Sequence, residues 1–206
     1  MEKVFEVSKG ILLEIKKRRK IVRDLVSDIV DIYKKNEEGE FYLPEDINDK
    51  THYNFPKLKT PLQVELDIFP DDEIDTFMID ADYFYKENII AISILYNPEK
   101  KMIVLYDIIG ELNEIIAHEI RHVDQHTQNM YTFNDDEEET DPIKYYTQPH
   151  ELDAQVYGFK RLSKLKKIPF EQVVRNWFET HKQFHGMDEE DYNIVIDQIL
   201  NHKENN

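Results

Sequence analysis

His118 and His122 stand four residues apart inside a stretch, Ile108 to Gln128, that is apolar with helical periodicity. Leu112, Ile115, Ile116, Ile120 and Val123 recur at three- and four-residue spacing, which predicts an amphipathic helix. No Gly or Pro interrupts it between Gly110, near its start, and His122. Glu111 and Glu114 fall in its early turns, where carboxylates suit the helix dipole. On such a helix the two histidines share one face, about one turn and roughly 6 Å apart along the axis. Any fold of this chain must bury the apolar stripe, and the two imidazoles can then converge on a single metal ion, a reading favoured over two surface histidines by the helical context.

Glu119 sits beside the first histidine. In an H-E-x-x-H helix the metal acidifies and orients water, and the Glu takes its proton. The expectation is one Zn2+ ion held by His118 and His122, with Glu119 as the catalytic base. Catalytic zinc needs a third protein ligand. His126 continues the series, but three residues spread over eight positions of a straight helix extend about 12 Å, too far to meet at one ion. No Gly follows His122 where a sharp turn could bring in another histidine. His126 therefore reads as a polar rim residue. The better candidate lies downstream, where Pro149 at a first helical turn, followed by Glu151, Asp153, Ala154, Gln155 and Tyr157, reads as the opening of a second helix. Small Ala154 would let that helix approach the first closely.

Two segments carry a family resemblance: His118-Glu119-Ile120-Arg121-His122-Val123-Asp124-Gln125 and Pro149-His150-Glu151-Leu152-Asp153-Ala154. Together they resemble the gluzincin class of zinc metallopeptidases, and within it the small, minimal gluzincin-like peptidases of bacteria and viruses. The resemblance covers residues 60 to 165. It implies that Glu151 is the third metal ligand and that the fold is zincin-like, with an edge strand above the metal helix that takes up an extended peptide by strand addition.

The neighbouring residues have simpler readings. His150 could be a ligand in place of Glu151, but it would point about 100° away around the helix, and a solvated cap is the better reading. Asp153 could orient a ligating histidine, or be an exposed early-turn acid. Tyr145, Tyr146 and Tyr157 could donate to an oxyanion, but in a chain with 12 tyrosines packing is the better reading of each. Arg121 faces sideways from the metal histidines and reads as a salt-bridge residue.

The chain of 206 residues fits one domain, with an N-terminal helix over 1–35, a catalytic core over 60–165 and C-terminal helices over 168–202. It has no cysteine, which excludes disulfides and cysteine-based zinc sites and fits an intracellular protein. The charged start Met1-Glu-Lys-Val-Phe-Glu6 shows no signal-peptide pattern, and no apolar run approaches bilayer-spanning length. The expected location is the cytoplasm of a bacterium or of a virus-infected cell, without a membrane partner. A net charge of −17 repels phosphate backbones and argues against nucleic acid. The basic run Lys17-Lys-Arg-Arg-Lys20 reads as the solvated face of a helix whose buried stripe is Ile11, Leu12, Ile15, Val22, Leu25, Val26, Ile29 and Tyr33.

Residues 36–60 read as loop, punctuated by Pro44 and Pro56. Gln63 to Ile68 alternates like a half-buried strand, Asp71 to Glu73 is a turn, and Phe77 to Tyr85 reads as a further strand. Ile89 to Tyr96 and Met102 to Tyr106 flank Asn97-Pro-Glu-Lys-Lys101, which predicts a hairpin immediately before the metal helix. The acidic run between Asn134 and Asp141 lacks the glycine and spaced oxygens of an EF-hand and reads as a solvated loop. Helices follow over Glu151–Lys167, Phe170–Phe184 and Glu189–Leu200. The fold class is α+β, with a small mixed or antiparallel sheet packed on the metal helix.

These readings converge on zinc-dependent hydrolysis of peptide or protein substrates. A non-catalytic, zincin-like metal-binding interaction module is the alternative. A carboxylate-bridged di-iron protein ranks below both, because Glu119-x-x-His122 is not matched by a second E-x-x-H unit.

Overall fold

The computed structural model describes residues 19–30, 47–53, 58, 61–99, 105–131, 141–181 and 187–205. The order of elements is a helix α1 (residues 19–30), strands β1 (Ile47–Tyr53), β2 (Leu62–Pro70), β3 (Phe77–Phe84) and β4 (Ile89–Tyr96), then helices α2 (Leu105–Thr127), α3 (Pro142–Tyr146), α4 (Pro149–Lys166), α5 (Phe170–His181) and α6 (Glu189–Asn205). The α+β class follows. The chain divides into two compact units, Met1–Asn113 and Glu114–Asn206.

In the first unit the four strands form one mixed sheet in the order β1-β2-β4-β3. β1 is antiparallel to β2, β2 is parallel to β4, and β3 is antiparallel to β4. The alternation read from Gln63 onward is real: Leu62, Val64, Leu66 and Ile68 are buried, and the residues between them are half-buried. The register aligns Val64, Leu66 and Ile68 with Ile90, Ile92 and Ile94, all buried, so the two central strands share one apolar face. β4 has no fully exposed residue because strands flank it on both sides, whereas β3 has exposed positions along its length. α1 buries Ile21, Val22, Leu25, Val26, Ile29 and Val30, one helical face; the remainder of the expected N-terminal helix lies outside the described residues.

Two expectations need correction. The segment read as loop contains β1, which pairs with β2 from Ile47 opposite Ile68 to Tyr53 opposite Leu62. Its polar sequence, INDKTHY, hides it: backbone pairing with β2, not an apolar alternation, makes it a strand. The expected hairpin across Asn97–Lys101 is also displaced. Leu105 and Tyr106, read as the end of its second strand, are the first residues of α2, while 100–104 lie outside the described residues. The hairpin is instead β3–β4, closed by Tyr85–Asn88. Asn88 takes φ 57°, a left-handed conformation that asparagine tolerates, so this turn forms without Gly or Pro. The polar run after β4 has another use. Asn97 is buried, donates from its side chain to Ile74 O at 2.7 Å, and accepts from Glu99 N–H at 2.9 Å, which ties the strand end to the β2–β3 connection.

The second unit is helical. Leu152, Val156, Phe159 and Leu162 of α4, Val173, Val174 and Phe178 of α5, and Tyr192, Val195, Ile196 and Ile199 of α6 form one core cluster. Full burial of side chains of this size contributes roughly 1.5–3 kcal/mol each, so the cluster is a strong anchor for α4. Local signals set the ends. Pro149 stands at the first turn of α4, and Lys167 closes it with φ 57°. Asp141 accepts from the N–H groups of Ile143 and Lys144 and starts α3, a short helix with no counterpart among the expected elements. Asp188 accepts from those of Glu190 and Asp191 and starts α6. The three expected C-terminal helices are present: α5 is described as far as His181, residues 182–186 lie outside the described residues, and α6 reaches Asn205.

Candidate metal centre

α2 has the two faces the sequence requires. Leu112, Ile116, Ala117, Ile120 and Val123 are fully buried, which fixes the rotation of the helix about its axis and so aims His118 and His122. The Nε2 atoms of those two histidines lie 2.9 Å apart. Among the described residues, His118, Glu119 and His122 form the group whose ligand atoms are close enough to hold a metal ion, all within 4.8 Å of one another.

α4 brings a second carboxylate closer still. Glu151 places Oε2 3.2 Å from His118 Nε2 and Oε1 3.4 Å from His122 Nε2. The nearer approach of Glu119 to His118 Nε2 is 3.8 Å. Ligand atoms held about 2.0–2.1 Å from a tetrahedral zinc lie roughly 3.3–3.4 Å from one another. The two Glu151 distances lie close to that spacing, the His118–His122 distance of 2.9 Å is shorter than it, and Glu119 at 3.8 Å stands just outside it.

α4 carries two small residues one turn apart. Ala154 is fully buried. Gly158, one turn further along, faces Glu114: a Cβ there would lie 2.6 Å from Glu114 Oε1 and 3.0 Å from its backbone oxygen. Sequence reasoning singled out Ala154 for close approach of the helices and missed Gly158.

The buried imidazoles and carboxylate at the centre shift one another's proton affinities. Glu119, His122 and Glu151 are all buried. Burial works to raise the Glu151 pKa, but the two imidazoles beside it overcome that and hold it well below the usual carboxylate range. For His122, burial works downward, yet the Glu151 carboxylate outweighs it and lifts the pKa to about 9. His118 moves the other way, lowered by burial and by the neighbouring His122 charge despite Glu151. Two imidazole nitrogens 2.9 Å apart cannot both present lone pairs to each other without repulsion. A proton can relieve it, and a metal ion set between them and Glu151 would do so with all three ligands engaged. The donor set of two imidazoles and a carboxylate suits a first-row divalent ion.

The remaining candidates sort clearly. His126 is not in the converging group. His150 is not a solvated cap: Gln148 is the N-cap of α4, and the His150 ring is partly buried, its Nε2 3.5 Å from Glu151 Oε1 and its centroid 5.9 Å from that of His122. Arg121 forms the expected salt bridge, its Nε donating to Asp153 Oδ2 at 2.7 Å. Asp153 reaches the metal histidines only through Gln125, whose amide bonds both Asp153 and His122. Tyr146 packs edge-on against Phe178, Tyr157 lies over the Arg121 guanidinium, and Tyr145 is exposed, so packing accounts for the first two. Tyr131 lies with its ring 6.1 Å from that of His150 and carried no signal in the sequence. The acidic run lies outside the described residues except Asp141.

No helix among the described residues is long and apolar enough to cross a membrane. No family model, no curated protein and no solved structure matches this chain.

Proposed function

We propose that this chain is a zinc-dependent metallopeptidase of the gluzincin type, with a zincin-like fold, in which His118, His122 and Glu151 hold one Zn2+ ion and Glu119 is the catalytic base. The observation that carries this reading is the convergence of three residues from α2 and α4, with the two imidazole Nε2 atoms 2.9 Å apart and the Glu151 carboxylate oxygens 3.2 and 3.4 Å from them, and a second buried carboxylate, Glu119, at 3.8 Å. Metal bound there would supply Lewis acidity, polarising a peptide carbonyl and acidifying water. Glu119 takes the proton of the attacking water and returns it to the leaving amine. Burial of Glu119 keeps its carboxylate out of bulk solvent and close to the reacting atoms. A purely structural site has no use for a buried acid in that position, which favours an enzyme over a non-catalytic metal-binding module.

The test compares the wild-type chain with Glu119→Gln on a mixed peptide library, with bound zinc measured in parallel. Wild type cleaves peptides, and the variant retains stoichiometric zinc while turnover falls roughly 10²- to 10⁴-fold. Full activity in Glu119→Gln would sink the mechanism. Zinc bound by wild type with no cleavage anywhere in the library would leave the interaction module as the function.

A further inference from the structure

Gln125 is completely buried, near one turn beyond His122 on α2, and its amide makes three hydrogen bonds. The chemistry of the partners fixes the direction of each. Arg121 Nε lies 2.7 Å from Asp153 Oδ2, and a guanidinium can only donate, so Oδ2 is an acceptor. Gln125 Nε2 lies 3.0 Å from that same Oδ2 and 2.8 Å from the backbone oxygen of His150, a second obligate acceptor. The NH2 end of the amide must therefore face α4. That leaves Oε1, which can only accept, 2.9 Å from His122 Nδ1. Nδ1 must carry the hydrogen.

A neutral imidazole can place its single hydrogen on either nitrogen, and the partner of one nitrogen decides the lone pair of the other. With the hydrogen held on Nδ1, His122 presents its lone pair on Nε2, the atom that faces His118 and Glu151. We infer that Gln125 is the positioning residue of this centre: anchored by Asp153, Arg121 and the His150 carbonyl, it selects the metal-binding tautomer of His122. The inference rests on the metal-site reading above. It also explains why an amide stands where a carboxylate often supports a metal histidine. Glu119, Asp124 and Glu151 are already buried nearby, and Gln125 supplies an acceptor without adding another negative charge.

The experiment measures Zn2+ affinity of the full chain by competition with a chromophoric chelator, alongside thermal unfolding, for wild type, Gln125→Met and Gln125→Glu. Gln125→Met keeps the volume and loses the acceptor, so affinity falls roughly 10- to 100-fold. Gln125→Glu keeps an acceptor for Nδ1 but loses both donors to α4. It melts at a lower temperature than wild type yet binds zinc within about threefold of it, and more tightly than Gln125→Met. A merely structural role would make affinity follow stability in both variants, and that result overturns the inference, as does wild-type affinity in Gln125→Met. In the 15N-labelled zinc-loaded wild type, His122 Nδ1–H gives a slowly exchanging downfield resonance that Gln125→Met loses. Failure of wild type to take up zinc sinks the metal reading itself. The tautomer of neutral His122 in the metal-free chain then decides the inference, and a hydrogen on Nε2 overturns it.

Discussion

The carboxylate of Glu151, on α4, lies 3.2 Å from Nε2 of His118, on α2. Both helices bury apolar residues, and Gly158 leaves out a side chain where α4 meets Glu114 of α2. The proposed metal centre needs ligands fixed before the metal arrives, and two rigid helices supply that more reliably than loops.

Glu151→Ala should leave only the two histidines and lower zinc affinity by more than roughly 100-fold, beyond what loss of a supporting residue costs. Chelator competition on the purified variant measures it. Unchanged affinity would remove Glu151 from the ligand set and return Glu119 to it.

Zinc uptake and the stability of the metal-free chain should respond to pH in opposite directions. The His122 pKa is raised from 6.5 to about 9 in the folded, metal-free protein. Its pairing with Glu151 therefore stabilises the fold fully below about pH 6.5 and loses that effect as pH rises through about 9. Over the same interval the proton that competes with zinc leaves, so affinity climbs, by up to about tenfold per pH unit for one displaced proton. Thermal melts with EDTA and with excess zinc, from pH 6.5 to 9.5, should show a falling metal-free curve and a widening zinc-induced gain. A constant gain across that range would contradict the prediction.

Gly158→Ala should destabilise the protein although alanine is the better helix former. Exchange of Gly for Ala in a helix gains about 1 kcal/mol. Here the new methyl meets the Glu114 carboxylate at 2.6 Å, which its flexible side chain can move aside, and the Glu114 backbone oxygen at 3.0 Å, which can yield only if the helix shifts. Overpacking of this kind costs about 1–3 kcal/mol, so the net loss should be about 1 kcal/mol, with weaker zinc binding because α4 carries Glu151. A raised melting temperature in a thermal scan would contradict this.

Gln155 is buried one turn after Glu151, and neither its amide nitrogen nor its amide oxygen has a hydrogen-bond partner among the described residues. An unsatisfied buried amide costs about 1–3 kcal/mol. Gln155→Met, of similar length, should therefore stabilise the chain by about 1 kcal/mol or more in chemical denaturation. A clear loss of stability instead would mean that the amide is solvated or bound in solution.

The chemistry of α2 was legible because it is local. Helical periodicity and the His118-x-x-x-His122 spacing lie within two turns, and the structure keeps both. β2, β3 and β4 announced themselves by alternation or by apolar runs, and Pro149 announced α4. What failed was pairing. INDKTHY becomes β1 only because β2 offers it a hydrogen-bonding edge, and Tyr85–Asn88 becomes a hairpin only because Asn88 adopts a left-handed conformation.

At the centre itself the division is similar. Residue type and spacing are enough to name His118, Glu119 and His122, since a helix converts spacing directly into a shared face. Glu151 came from a resemblance, and its place beside both imidazoles is a property of two helices packed together. Gly158 against Glu114, and the polarity that runs from Arg121 through Asp153 and Gln125 to His122, exist only in three dimensions. Hydrogen-bond direction depends on which donors and acceptors meet, and chain order does not encode those meetings until the helices have packed.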